Sequence, residues 1–68
     1  MSPQEYRTEL LRLGLSQVKA GAFLGVTDRT SRRWAAGHSA IPVATADRLW
    51  MTSRSEVVRW LKNGQEAR

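Results

Sequence analysis

Between Ser16 and Trp34 the chain reads Ser-Gln-Val-Lys-Ala-Gly-Ala-Phe-Leu-Gly-Val-Thr-Asp-Arg-Thr-Ser-Arg-Arg-Trp, and that spacing leaves little choice of local structure. Ser16 is placed to cap a helix, because its hydroxyl can accept a hydrogen bond from a free amide of the opening turn. Gly25 ends that helix by adopting the positive φ that a Cβ opposes. Thr27 then caps another helix, and Asp28 sets a negative charge by its positive N-terminal end. The stretch therefore predicts two short helices joined by a tight turn.

The second of these helices has two unlike sides. At about 100° per residue, Asp28, Arg29, Arg32, Arg33 and Ala36 share an arc of roughly 140°, with Thr30, Ser31 and Trp34 opposite. If the indole of Trp34 is buried, the arginines stand out as a ridge. A cationic ridge one helix wide matches the major groove of DNA, which admits one α-helix.

Ser16-Gln17, Leu24-Gly25-Val26-Thr27, Thr30, Arg32-Arg33-Trp34 and Gly37 together resemble the helix-turn-helix of the phage Cro/C1-repressor (XRE-like) family. The resemblance covers roughly residues 3 to 61, with cap, turn and recognition-helix positions at fixed offsets. It implies an all-α, compact five-helix bundle containing a helix-turn-helix, a lambda-repressor-like DNA-binding domain. The motif spans about 16–36, with Ala20, Leu24, Val26 and Trp34 as its core. Two positions depart from the family pattern: Gly21 stands where Ala is usual, and Ser31 where Val or Ile is usual. Gly inside a helix costs about 1 kcal/mol relative to Ala. A core Ser needs a hydrogen-bond partner, for which a carbonyl one turn back is the local choice.

Sixty-eight residues make one small domain, near the lower limit for folding on an apolar core alone. The domain is expected over 1–62, with 63–68 a frayed tail. Without Cys and with one His, neither a disulfide framework nor a structural metal site is expected, and no cofactor is implied. The apolar runs are far too short for a membrane span, and the opening residues lack the apolar core of a signal peptide. A cytoplasmic protein is expected. The net charge of +5 is uneven: residues 1–15 balance, 16–47 carry +2 and 48–68 carry +3. Such a balance suits a polyanionic partner, or a merely solvated surface.

The remaining elements follow from caps and periodicity. Ser2 and Glu5 have capping-box spacing around Pro3, and Tyr6, Leu10 and Leu13 form a helical stripe that Leu11 widens. Gly14 stops this helix. The Ala20-Gly21-Ala22 run allows close approach of the second and third helices. Pro42 is expected to start a fourth helix, with Val43, Ala46, Leu49 and Trp50 on its buried face. Ser53 and Glu56 cap a fifth, where Val57, Trp60 and Leu61 share one side. Trp50 is expected in the core. Trp60 completes the core or, with Val57 and Leu61, forms a dimer surface.

Roles at individual positions come from the resemblance. It makes Asp28, Arg29 and Arg33 the base-contacting residues, and Gln17, Thr27, Arg32 and His38 the backbone-contacting ones. Asp28 reads a base or, paired with Arg32 one turn on, orients an arginine. The function implied is sequence-specific binding of double-stranded DNA, as a transcriptional regulator of the repressor kind acting as a homodimer. A protein-interaction module, such as an antitoxin or adaptor, is the alternative. Catalysis is not expected, since no nucleophile–base pair stands out.

Overall fold

The structure is a computed structural model and describes residues 1–63. Five helices follow in order: α1 (Pro3–Leu13), α2 (Gln17–Leu24), α3 (Asp28–Ala36), α4 (Val43–Met51) and α5 (Arg54–Asn63). No strand occurs among the described residues, so the chain is an all-α bundle. Of the expected tail 63–68, Asn63 closes α5 and 64–68 lie outside the described residues. Among the described residues, no helix is long and apolar enough to cross a membrane.

Local chemistry sets most of the boundaries. Ser2 and Glu5 form the reciprocal capping box of α1. The hydroxyls of Ser16 and Thr27 accept from the amides of Lys19 and Thr30 at 3.0 and 3.1 Å. Gly25, between α2 and α3, sits at φ 78°, where a Cβ would be strained. Helix α4 differs: Pro42 is its N-cap rather than its first residue, and no side chain caps it. At the start of α5 the Glu56 carboxylate accepts from the Ser53 amide and the Ser53 hydroxyl from the Glu56 amide.

The core is centred on α1. Tyr6, Leu10 and Leu13 are buried with Leu15, Trp34, Ala35, Leu49 and Val57. The Tyr6 and Trp34 rings meet edge-to-face with centroids 5.8 Å apart. Ser31, fully buried, finds its partner across the α1–α3 seam, where its Oγ and the Tyr6 hydroxyl share a hydrogen bond of 2.6 Å. That replaces the expected local carbonyl. The Arg7 guanidinium donates to the Ala35 carbonyl at the C-terminal end of α3. Together these contacts fix how α3 is rotated against α1.

Gly21 meets the turn rather than a helix side. A Cβ there would lie 3.0 Å from the Thr27 carbonyl oxygen and 3.2 Å from that of Val26. The backbone of α2 thus rests on the turn, which brings the start of α3 close to it.

The second half is held by long-range polar contacts. Arg12, paired with the nearly buried Glu9, donates to the Leu49 and Thr52 carbonyls at 3.2 and 3.0 Å. Arg48 reaches the Phe23 carbonyl at 3.3 Å and lies 4.9 Å above the Phe23 ring. Phe23 in turn meets Trp60 edge-to-face at 5.2 Å.

Several expected burials are corrected. Leu11 is 80% exposed, because α1 buries Glu9 on the flank of its stripe instead. On α4 the buried side is centred on Ala46 and Leu49, which turns Val43 (77% exposed) and Trp50 (48%) outward. Val57 is fully buried, so it cannot belong to a dimer surface. Trp60 and Leu61 are half-buried against the chain's own core.

Candidate nucleic-acid interface

Helix α3 is built as a two-sided element. Its inner side, Ser31, Trp34 and Ala35, is buried, and its outer side carries Asp28, Arg29, Arg32, Arg33 and Ala36, all exposed. The inner contacts leave the guanidinium groups nowhere to go but outward. Arg29, Arg32, Arg33, Ala36 and His38 line one shallow cleft on this side.

The exposed cations differ in freedom. The Arg29 side chain has no hydrogen-bond or ion-pair partner among the described residues. Arg32 is in a salt bridge with Asp28, one turn back. The hydrogen bond from Arg32, and then its charge, hold the Asp28 carboxyl below the usual carboxylate range. Of the two roles open to Asp28, this pairing is the geometry of orienting an arginine. Arg33 donates through Nε to Ser39 Oγ at 3.0 Å and leans toward the His38 carbonyl at 3.5 Å. The His38 amide donates to the Arg33 carbonyl at 2.9 Å, so the loop after α3 and the last turn of the helix hold one another.

The other expected positions are spread around this ridge. Thr27 is exposed at the start of α3, but its hydroxyl is engaged with the Thr30 amide and, at 2.9 Å, the Thr30 hydroxyl. Gln17 opens α2 half-buried, in a hollow shared with Arg7, Leu10, Leu11, Leu15 and Ser16. The His38 ring belongs to an exposed residue beside the arginine cleft. Of the four residues expected to form the core of the motif, Ala20 and Trp34 are buried, whereas Leu24 and Val26 pack half-buried against the core.

Two further residues contribute to the site. Arg7 ties α1 to the end of α3, and Ser39 holds the Arg33 side chain. Arg7 acts on a residue 28 positions away and so carries no local signal, and the Ser39 contact depends on how the loop turns back after α3. Among the described residues, no group of three His, Cys, Asp or Glu side chains could hold a metal ion.

Chemically, the outer side of α3 offers planar, multidentate hydrogen-bond donors on a rigid element. Such groups suit guanine edges and phosphate oxygens. No family model, no curated protein and no solved structure matches the chain.

Proposed function

We propose that the protein is a sequence-specific DNA-binding regulator, a cytoplasmic repressor that lays the outer side of α3 in the major groove. One observation carries this reading: α3 buries Ser31 and Trp34 while holding Arg29, Arg32 and Arg33 exposed on the opposite side. Arg29, uncommitted, is the leading base reader, and Arg33 reads a base on leaving Ser39. Arg32, oriented by Asp28, contacts phosphate, with Gln17, Thr27 and the His38 loop beside it. The functional unit is a homodimer. A single small module touches few phosphates, and backbone contacts alone give weak, non-specific affinity. Two copies on half-sites about 34 Å apart supply the missing discrimination.

Selection of bound fragments from random duplex DNA tests the proposal, and an enriched inverted repeat is expected. On that repeat Arg29→Gln lowers affinity by roughly 10- to 100-fold, the worth of one bidentate base contact. No enrichment at moderate salt rejects it.

A second reading, as a protein-interaction module, is favoured by the exposed apolar side of α4, where Val43, Trp50 and Met51 project. On that reading Arg29→Glu with Arg33→Glu leaves capture of a partner protein intact, and no DNA sequence is enriched.

A further inference from the structure

Side-chain partners sort the cations of the chain into two groups. Arg7, Arg12, Arg32, Arg33, Arg48 and Lys19 are all engaged. The described cations without a hydrogen-bond or ion-pair partner are Arg29 on α3 and Arg54, Arg59 and Lys62 on α5. The three on α5 share one side of the helix with Ser55 and Val58, and together these residues line a single open cleft. They span about 12 Å of helix at 1.5 Å per residue. Glu56, the one acid on α5, is engaged by Ser53 in its capping box.

This cationic side is separate from that of α3. The cleft on α5 and the cleft on α3 have no lining residue in common. Helix α1 packs against both α3 and α5. The opposite side of α5 is turned inward through Val57, with Trp60 and Leu61 half-buried. Its outer side thus faces away from the core, as that of α3 does.

We infer that the outer side of α5 is a second DNA surface, which holds the phosphate backbone of a second duplex segment. Three unpaired cations on a helix complement a line of phosphates without reading bases. A lipid surface fits less well, because the only apolar residue of the cleft is Val58 and the aromatic side of α5 is packed inward. The protein then bridges two duplexes, one through α3 and one through α5. This inference rests on the proposal that α3 binds the first.

Bridging is read as capture of a labelled duplex by protein held on an immobilised duplex of about two helical turns. The wild type is compared with Arg54→Gln/Arg59→Gln/Lys62→Gln and, separately, with Arg29→Gln. All four changes are on exposed side chains, and the helical circular dichroism and melting curve verify that each variant folds. The triple variant is expected to bind a single duplex as tightly as the wild type and to lose capture of the second. The affinity of wild-type capture is expected to fall with salt with a log–log slope of about −2.7 from these three cations. Unchanged capture by the triple variant overturns the inference, bridging then running through two copies of α3. Weaker single-duplex binding by the triple variant overturns it too, placing α5 on the first duplex. Competition by poly-aspartate as effective as that by duplex DNA overturns it in favour of an acidic protein. If Arg29→Gln leaves single-duplex binding intact, it is the proposal for α3 that fails.

Discussion

Helices α1 to α3 and helices α4 and α5 are stabilised in different ways. In the first half, side chains cap every helix N-terminus, and the seam between α1 and α3 is keyed by Tyr6, Ser31 and Trp34. In the second half, α4 has no side-chain cap and leaves Val43, Trp50 and Met51 (83% exposed) facing outward. Arg12 and Arg48 hold that half to the first by reaching backbone carbonyls. The α3 ridge thus stands on the half of the molecule that is capped at every helix start and keyed side chain to side chain. The α4 surface belongs to a part whose packing leaves apolar area unused.

The largest effect that tests this contrast is at the two tryptophans. Trp34→Ala is expected to cost about 3–5 kcal/mol, enough to unfold so small a domain, as read by urea denaturation. Trp50→Ala, with half its surface already in water, is expected to cost about half as much, roughly 2 kcal/mol. Similar losses at both would erase the distinction between the halves.

Next comes the link between them. Arg12→Met removes two carbonyl contacts and leaves the Glu9 carboxylate nearly buried without its ion pair. A loss of about 2 kcal/mol is expected. Hydrogen exchange is expected to rise first in α4, and faster exchange in α2 and α3 alone would contradict the division.

The Tyr6–Ser31 bond sharpens the account of the first half. Tyr6→Phe and Ser31→Ala each orphan one buried hydroxyl, at about 1–2 kcal/mol. The double variant is expected to lose less than the sum, so a double-mutant cycle reports coupling of about 1 kcal/mol. Strict additivity would mean that the two hydroxyls do not depend on each other. Burial also raises the Tyr6 pKa above the ordinary tyrosine value of about 10, despite the Ser31 hydrogen bond. A raised acid pKa means that the folded state keeps its proton longer than the unfolded one. Stability is therefore complete below about pH 10 and falls as pH rises through the folded value. Tyr6→Phe is expected to remove that alkaline dependence from denaturation curves.

The smallest effect is on the surface of α4. Met51→Ser is expected to shift stability by no more than about 0.5 kcal/mol. A larger loss would reveal contacts that cover this side of the helix in solution.

Much of this organisation is legible in the sequence, and the residues show why. Ser2, Ser16, Thr27 and Ser53 act on amides three residues away, so their roles are written locally. The opposed sides of α3 follow from helical geometry once Trp34 is taken inward. Periodicity, however, gives relative angles on a helix and not which angle meets a neighbour. Val43 and Trp50 are therefore drawn with Ala46 and Leu49 on paper and separated from them by the fold. Leu11 and Glu9 exchange places for the same reason. Contacts between distant residues, such as Tyr6 with Ser31 or Arg7 with Ala35, have no local signature.

The missing methyl at position 21 has a wider consequence. With bare backbone resting on the turn, main-chain contact takes a share in setting the direction in which α3 departs, beside the inward contacts of Ser31 and Trp34. The outward positions of α3 take no part in that geometry. They can be exchanged for other side chains without tilting the platform that presents them. A new set of targets can thus be written on the same scaffold, one exposed position at a time.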